Sequence, residues 1–456
     1  MKADAYPIKA RMVLRVPRLW LITLLLSAIM VALITAFYIA SVVDPVAHLN
    51  GLPVVVVNED HGATIGGQPV NIGHQVQAGL TGSQVLTSHL QVQTSDLAAA
   101  TQTMDDNNAY ATVVIPPDFT RALLTVAGVP LANPTSTRPQ ITILSNDRAG
   151  TLGVGLATGF LQPALDIASR QVGHQLRAHV PAGVSNAATR AILTDPVTVN
   201  TTTYRPLPPH SGLGLSAFYI ALLTLTCGFL VGTIVHNGVD SGLGYATTET
   251  GPRWRQSQPL PINRWQTLLV KWAVIAVLTA VVSGVILGVA AGALRMDAPN
   301  VTLLWLFMWL CSASVAAGTI VLLAVVGGFG QLLALLLFVY LGLASAGGTV
   351  PVQALPGPLR FISPVDPLRE ILAGTRSIMY FNAQGGAGLT AGVVAAGLGL
   401  VFWLVLGTAV VRWYDRRGLE RLSPELLTHI GESVAQYRAK EAAAPEPEPE
   451  HSGGQA

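Results

Sequence analysis

The sequence predicts an α-helical integral membrane protein with six transmembrane helices, and a large extracytoplasmic α/β domain between the first helix and the second. Three observations support this fold class. The chain of 456 residues is 51% hydrophobic and only 11% charged, whereas soluble domains carry about 25% charged residues. Five long apolar segments follow one another in the second half of the chain, and a sixth stands alone near the N-terminus. Between them, strand-like and helix-like patterns alternate, which is typical of an α/β layer.

The five clustered segments contain no Asp, Glu or Arg in their interiors. At about 1.5 Å per residue most are long enough to cross a hydrocarbon core of ~30 Å, and only the fourth is marginal. Because unsatisfied backbone groups are costly in lipid, the segments should be helical; five buried helices of a soluble protein are the alternative. They lie at 212–235, 268–294, 301–326, 331–345 and 389–411, within a predicted membrane domain of residues 212–412.

Basic residues set the orientation of the first span, residues 19–43. Five precede it, and none follows it before Arg121, so the N-terminal residues 1–18 should be cytoplasmic. The alternative is a cleaved signal peptide, whose apolar region should be about 7–15 residues long. This one covers 25 residues, which favours an uncleaved signal anchor. The preceding basic residues are Lys2, Lys9, Arg11, Arg15 and Arg18.

Alternating the spans from that start predicts a multi-pass protein of the plasma membrane with both termini in the cytoplasm. Residues 44–211 then form the extracytoplasmic domain, and residues 236–267 form an inner loop. The joints at 295–300 and 346–388 lie outside, and the tail 413–456 lies inside. The tail ends in a Pro-Glu repeat that is typical of disorder.

Within the outer domain, β-branched runs bounded by turn residues predict strands. Ser95 is expected to cap a helix that ends near Asp105, and Pro116 and Pro117 to open another. The domain has no cysteine, because Cys227 and Cys311 both lie in spans, so its own core must hold it together. The predicted strands are 53–57, 90–93, 110–115, 141–144 and 195–204; the predicted helices are 69–80, 95–105, 116–126 and a long one that ends near 180.

Two acidic turns follow predicted strands: Glu59 with Asp60, and Asp147. The carboxyl ends of strands in open α/β sheets usually bind ligands, so these turns are candidate ligand sites. The alternative is that Asn and Asp simply make good turns. His61 and His74 are isolated, and no metal, cofactor or catalytic site is predicted.

No span carries an Asp, Glu, Lys or Arg at mid-membrane depth, which argues against a stand-alone ion-coupled carrier. Small residues recur there at intervals of four instead, as at Gly284, Gly288 and Gly292. This spacing predicts close helix packing, within the bundle or between subunits.

The inner loop is basic, aromatic and interrupted by prolines. Two interpretations are open: a short surface helix that contacts a cytoplasmic partner, or interfacial anchors that hold the spans in register. The candidate contacts for an ATPase partner are Arg253, Trp254, Arg255 and Arg264. The chain itself has no phosphate-binding loop and no hydrolase or zinc signature, so we expect it not to be an enzyme.

Several short motifs resemble the YhgE/Pip (phage infection protein) family of ABC-2-type permease-like membrane proteins. They are LPVVVVNEDHGA at 52–63, AYATVVIPPDFT at 109–120, QITILSN at 140–146, SQPLPINRW at 257–265 followed by Lys271, LPGPLR at 355–360 and SPVDPLR at 363–369. The resemblance implies an export-type permease of the plasma membrane, which forms a homodimer and works with a separate ATP-binding subunit. Some members of the family are instead phage receptors or secretion accessories.

Two functions therefore stay open. The leading one is a permease-like subunit that exports an amphipathic or lipid-like substrate with a separate ATPase. The alternative is a non-transporting surface or secretion-accessory protein whose outer domain binds a partner. Besides the lipid bilayer, the expected partners are that ATPase and a second copy of the chain. The net charge of +2 gives no reason to expect nucleic acid.

Overall fold

The computed structural model describes residues 14–65, 67–129, 138–177, 192–250, 253–255 and 257–419, with residues 12, 131, 135, 421, 428, 432, 435 and 436 as isolated positions. These residues form two compact units. The first comprises the described parts of Met1–Thr226, Ser283–Cys311 and Leu335–Gly397, and it contains the α/β domain. The second comprises the described parts of Cys227–Val282, Ser312–Ala334 and Leu398–Ala456.

The α/β domain is built on a five-stranded sheet of order β4-β1-β5-β6-β7. Strands β4, β1 and β5 run parallel to one another, and β6 and β7 run in the opposite direction. The residues Val54–Val57 of β1 are all buried, because helices cover both faces of this inner strand. The strands of the domain, including a separate β2–β3 hairpin, are β1 (Leu52–Asn58), β2 (Ala63–Ile65), β3 (Gln68–Val70), β4 (Leu90–Ser95), β5 (Ala111–Ile115), β6 (Gln140–Ser145) and β7 (Thr198–Thr203).

Helices cover the two faces of the sheet unequally. On one face, a large apolar core joins alternate residues of β1, β5 and β6 to four helices of the domain, and it also includes Leu355 and Leu359 from the segment after residue 345. On the other face, a single helix packs Ala100 and Met104 against Val55 and Val57. The helices up to this point in the chain are α1 (Leu21–Val42), α2 (Ile72–Gly82), α3 (Gln84–His89), α4 (Leu97–Asp105), α5 (Phe119–Val126) and α6 (Thr151–Arg177).

The predicted strands and helices of this domain are present, but three details differ. The cap of α4 is Asp96, whose carboxylate accepts a hydrogen bond from the backbone N–H of Ala99 at 2.7 Å; Ser95 is the last residue of β4. Helix α5 begins at Phe119, after the two prolines. The start of the predicted helix 69–80 is instead part of the β2–β3 hairpin. The predicted end of α6 near residue 180 lies outside the described residues.

Six helices of the described chain are long and apolar enough to cross a membrane, as expected for a multi-pass membrane protein. Their mean hydropathy lies between 1.8 and 2.6. The second is longer than predicted and continues to Gly242, and the third begins earlier, at Arg264. The six are Leu21–Val42, Ser216–Gly242, Arg264–Ala293, Val301–Val326, Gly328–Ser345 and Gly385–Arg416.

Several of these spans combine α-helix with wider π-helical turns, at Gly288–Ala293, Leu335–Tyr340 and Gly385–Leu389. The remaining elements are α7 (Ser216–Gly242), β8 (Thr248–Thr250), β9 (Arg253–Arg255), α8 (Arg264–Leu287), α9 (Val301–Val326), α10 (Gly328–Ala334), α11 (Leu341–Ser345), α12 (Gly357–Ile362), α13 (Pro367–Tyr380) and α14 (Thr390–Arg416).

In the second unit, two glycines allow α7 and α9 to approach closely. A Cβ at Gly228 would lie 2.7 Å from the carbonyl oxygen of Ser312, and one at Gly232 would lie 2.8 Å from that of Ala316. Both distances are shorter than any real Cβ contact, so a larger residue would force the helices apart. Glycine spaced by four residues therefore serves helix packing within the chain at this place.

The predicted packing glycines of α8 are less enclosed. A Cβ at Gly284 would touch the indole nitrogen of Trp305 at 3.5 Å, whereas one at Gly288 or Gly292 would have no described atom within 4 Å. The last two lie in the π-helical turn that ends the span. Only Gly284 faces another helix among the described residues, and the other two present small, open surfaces.

Candidate functional site

The acidic turn after β1 is held in place by hydrogen bonds within the α/β domain. The carboxylate of Asp60 accepts hydrogen bonds from the backbone N–H groups of Gly62 at 3.2 Å, Gly73 at 3.0 Å and Thr120 at 3.0 Å, and from the Thr120 hydroxyl. These bonds tie the turn to the first residues of α2 and α5. Both oxygens of Asp60 are thus used by the domain itself, and the neighbouring Glu59 is half-buried.

The second acidic turn and the first lie at opposite ends of the strands, because β6 runs antiparallel to β1. Asp147 follows β6 and accepts a hydrogen bond from the Thr203 hydroxyl at 3.1 Å. Its neighbour Arg148 donates to the carbonyl oxygens of Pro206 at 3.0 Å and Tyr380 at 2.7 Å. The structure therefore does not bring Asp147 together with Glu59 and Asp60.

The inner loop contains a β-hairpin. Strand β9, with Arg253, Trp254 and Arg255, pairs with β8 in antiparallel register, so the interpretation of the loop as a short surface helix is wrong. The side chains of these three residues are outside the described part of the chain. Arg264 is the first residue of α8, and its Nε donates to the carbonyl oxygen of Leu419 at 3.2 Å.

Next to Arg264 is a cavity of about 520 Å³. Its wall is fixed by polar contacts: the Tyr245 hydroxyl donates to the Leu260 carbonyl at 2.7 Å, and the backbone N–H of Trp265 donates to Asp415 at 3.3 Å. The Arg421 guanidinium lies 4.7 Å from the centre of the Tyr245 ring. The cavity is lined by Tyr245, residues 259–264, Asp415, Gly418, Leu419 and Arg421.

Beside this cavity lies an ionic cluster that sequence analysis missed. Asp240 of α7 lies 2.8 Å from the ammonium nitrogen of Lys271 in α8, 3.1 Å from the guanidinium of Arg421 and 3.3 Å from Nε2 of His236. Lys271 is only 1% exposed. A buried ammonium requires a counter-charge, and Asp240 supplies it.

The imidazole of His236 bridges the pair. Its Nδ1 lies 3.1 Å from the Lys271 ammonium, which can only donate, so Nδ1 accepts. Its Nε2 faces the Asp240 carboxylate, which only accepts, so Nε2 carries the hydrogen. A neutral imidazole satisfies both contacts at once. We name the four residues His236, Asp240, Lys271 and Arg421 the ionic cluster.

Sequence signals for this cluster existed but were weak. Lys271 is a lysine within an apolar segment, and Asp240 lies five residues beyond the predicted end of its span at Val235. The predicted topology also assigns the end of the second span, the start of the third and the segment after the last to one side of the membrane. Their charges could therefore have been expected to meet, although not which ones.

Among the described residues, no group of three or more His, Cys, Asp or Glu side chains is placed to hold a metal ion. The ionic cluster has one carboxylate facing an ammonium, a guanidinium and an imidazole. It is organised to hold polypeptide segments together, and its chemistry is electrostatic.

The fold and these sites define the class of protein as a multi-pass membrane protein with an α/β domain inserted after its first apolar helix. The chain belongs to the family described as DUF3533, a protein family of unknown function, whose model matches residues 23–407. Membership of the YhgE/Pip family, which the sequence resembles, stays a prediction. A search of curated proteins gave no match.

One solved structure is similar to part of the chain. It is a domain of a putative ABC type-2 transporter from Thermotoga maritima MSB8, with 20% sequence identity and a TM-score of 0.23. The likeness covers 33% of this chain and 85% of that domain.

Proposed function

We propose that this protein is the membrane subunit of an ABC-2-type export permease, which moves an amphipathic or lipid-like substrate and is driven by a separate ATP-hydrolysing subunit. In this proposal the chain lies in the plasma membrane with both termini in the cytoplasm. The α/β domain is then outside, between the first span and the other five.

The ionic cluster is the observation that supports the proposal best. It joins the end of α7 and the start of α8 to the segment after α14. The cavity of about 520 Å³ is lined by Tyr245, which follows α7, by residues 259–264 up to the start of α8, and by the end of α14 with the segment after it. In the predicted topology all three are cytoplasmic. A partner that docks in the cavity would therefore push on helices linked by buried charges, and not on a loose loop.

The charge of this region also fits an acidic docking partner. Arg264 and Arg421 line the cavity, and Arg412, Arg416 and Arg417 lie at the end of α14. Together with Arg253 and Arg255 on the hairpin, they make the predicted cytoplasmic side basic. Complementary charge steers association and fixes its register.

Photo-crosslinking tests the docking. A photo-reactive amino acid at Trp254 or Arg264, in native membranes, should form an adduct with a nucleotide-binding protein. The same amino acid at Val85, which is 66% exposed in the α/β domain, is the control and should not. Efficient adducts at position 254 that contain no nucleotide-binding protein would refute the motor-driven permease.

A charge-reversal pair sharpens that experiment. Arg264→Glu should abolish co-purification of the nucleotide-binding subunit, because Arg264 lines the cavity. Arg416→Glu makes the same change at an exposed position that does not line it, and it should leave the complex intact. Equal effects of the two variants would show that only general basic charge matters.

Labelling with a membrane-impermeant maleimide tests the topology. In a background without Cys227 and Cys311, Val85→Cys should react in intact cells, and Arg416→Cys should react only after the membrane is opened. The reverse pattern would contradict the whole arrangement.

The homodimer is a further part of the proposal. It is supported by the small, open surface at Gly288 and Gly292, where a Cβ would have no atom of another described element within 4 Å. Leucine at both positions should weaken a dimer without affecting the monomer, as measured by crosslinking in membranes. An unchanged dimer would remove these glycines from its interface.

The alternative function, a surface or secretion-accessory protein, is favoured by one feature of the α/β domain. Strand β7 is an edge strand of the five-stranded sheet, and its residues are almost all exposed. An open edge can accept a strand from another protein. If crosslinkers on β7 capture a protein while those on the inner loop capture no nucleotide-binding subunit, this alternative leads.

A further inference from the structure

A second cavity, of about 440 Å³, lies in the first unit. Four parts of the chain form it: residues 50–53 around the start of β1, the turn between α4 and β5, the segment from residue 346 through α13, and the residues around the start of α14. Its volume is within the range of small-molecule sites. The polar and charged residues that line it are Asn50, Asp106, Asn107, Asn108, Tyr110, Gln353, Arg360, Arg369, Glu370 and Arg376.

Arg376 is the unusual member of this lining. Its side chain comes from the buried face of α13 and is only 9% exposed. Its Nη2 donates to the carbonyl oxygen of Gly348 at 3.1 Å, but its Nε has no hydrogen-bond partner in the described chain. No described carboxylate forms an ion pair with it.

The surroundings of Arg376 do not neutralise it. Burial lowers the pKa of its guanidinium, and the phenols of Tyr110 and Tyr380 oppose that shift. An arginine nevertheless keeps its charge at any physiological pH. A buried charge without a counter-ion is strongly destabilising, and no described side chain forms an ion pair with this one.

Other unsatisfied polar atoms surround the same cavity. Buried side-chain atoms without a partner include Asn107 Oδ1, Gln353 Oε1 and Arg360 Nε, as well as Arg376 Nε. Native proteins satisfy about 90% or more of such atoms, so four of them in residues that line one cavity are unusual and give its wall unmet hydrogen-bonding capacity. The amide groups of Asn107 and Gln353 can present either an oxygen or an NH₂, because rotation of the amide exchanges the two.

The acidic residues of the lining are already engaged. Glu370 lies 3.9 Å from Nε of Arg369, and Asp106 accepts a hydrogen bond from Gln102 at 3.0 Å. The Nη2 of Arg360 donates to three backbone carbonyl oxygens. Its Nε remains without an acceptor, and its positive charge is not neutralised by these carbonyls. With three arginines against two carboxylates, the cavity has an excess of positive charge, and Arg376 is its most buried part.

We propose that this cavity binds a phosphate group and that Arg376 is the residue that selects it. Arginine donates to phosphate oxygens with a geometry that suits them. A phosphate has more oxygens than a carboxylate, so one group can accept from Arg376 and Arg360 on separate elements. The phosphate belongs either to the headgroup of a membrane lipid or to a free phosphate compound.

The test uses the full-length protein in a neutral detergent and follows its thermal unfolding with added probes. Phosphatidylglycerol in the micelles and inorganic phosphate in solution are the two probes. Diacylglycerol, which has no phosphate, and sodium chloride at equal ionic strength are their controls. A rise in the unfolding midpoint with phosphatidylglycerol alone identifies a lipid headgroup site. A rise with inorganic phosphate identifies a site for free phosphate compounds. No rise with either probe overturns the proposal.

Substitutions assign the effect to the cavity. Arg376→Gln should raise the half-maximal probe concentration by about tenfold or more, the loss expected for one charge-assisted hydrogen bond. Arg295→Gln is the matched control, because Arg295 is exposed and does not line the cavity, and it should change nothing. A stabilisation that persists in Arg376→Gln overturns the proposal, since it would reflect general membrane charge.

Two further variants keep the test decisive if Arg376→Gln does not fold. Arg369→Gln removes a half-exposed cation of the cavity, and Ala391→Leu fills part of it from an exposed position. Each should weaken the response to the probe severalfold. If both leave it unchanged, the cavity does not bind phosphate. The measurement needs no ATPase subunit, so its outcome is independent of the proposed transport.

Discussion

Neutralising Asp240 should destabilise the second unit strongly, because this carboxylate is the counter-charge of a buried lysine. Asp240→Asn keeps the shape of the side chain and removes its charge. Lys271, whose side chain is 2% exposed, would then be a buried cation beside Arg421. Removing one partner of a buried ion pair typically costs about 3–5 kcal/mol. For a cooperative unit of 150–250 residues this lowers the unfolding midpoint by roughly 6–20 °C.

The structure also predicts an order among the variants. Lys271→Met should cost less than Asp240→Asn, because Asp240 would keep Arg421 at 3.1 Å as its partner. The double variant Asp240→Asn with Lys271→Met should lose less stability than the two single losses added together. Coupling energies between contacting residues are on the order of 0.5–3 kcal/mol.

Thermal unfolding of the purified full chain in a neutral detergent, followed by far-UV circular dichroism, measures all three variants. Asp166→Asn is the control, because Asp166 is exposed on α6, and its midpoint should stay within about one degree. If Asp240→Asn is as stable as the wild type, or if the losses simply add, the charges do not hold the helices together.

Three further predictions follow from the packing. Gly232→Leu should disrupt the contact between α7 and α9 and lower the free energy of unfolding by about 1–3 kcal/mol or more. Gly238→Leu in the same helix should be tolerated, because a Cβ there has no atom within 4 Å. Equal thermal stability of the two variants would contradict the close approach of the helices. Asp60→Ala should lower the free energy of unfolding by at least about 3 kcal/mol, because it leaves several N–H groups without an acceptor. Glu59→Ala, the control, should lower it by less than about 1 kcal/mol. Equal losses of stability would show that the hydrogen bonds to Asp60 are weak. Burial raises the pKa of Asp366 to about 7, so the folded state binds the proton more tightly than the unfolded state. Stability should then fall as pH rises from about 4 to about 7, on the order of 1 kcal/mol per pH unit. Asp366→Asn should flatten that slope. Identical stability-against-pH profiles for the variant and the wild type would refute the raised pKa.

Local patterns were sufficient for most of the α/β domain. The run Val54–Val57 between turn residues could hardly be anything but a buried strand, and β5 and β6 have the same signature. The errors are at boundaries, where neighbouring residues compete for one role. Ser95 and Asp96 can both cap a helix, and the choice of Asp96 follows from the pairing of Ser95 with β1.

Directions of strands were not predictable in the same way. Nothing in the sequence near residue 140 says that β6 runs antiparallel to β5. That single reversal separates Asp147 from Glu59 and Asp60, although all three follow strands. A site built from the ends of two strands requires both strands to end on the same side of the sheet. That depends on the sheet topology, which the local periodicity of the sequence does not reveal.

The two buried charges that matter most were hidden for a related reason. Asp240 and Arg376 lie on helices whose patterns mark a span and an amphipathic segment. Whether such a charge meets a partner depends on which other segment packs against its face. Lys271 gave a signal, since a lysine inside an apolar run needs an explanation, but the sequence did not name Asp240 as that explanation.

The balance of charges distinguishes the ionic cluster from the cavity that Arg376 lines. Lys271 is buried with a carboxylate at 2.8 Å, so the protein itself supplies the counter-ion of this lysine. Arg376 is buried with a carbonyl and two phenols, and none of these carries a negative charge at neutral pH. The first arrangement joins helices. The second has the electrostatic requirement that an anionic ligand would meet, and that requirement is why the cavity beside α13 is the place to look for one.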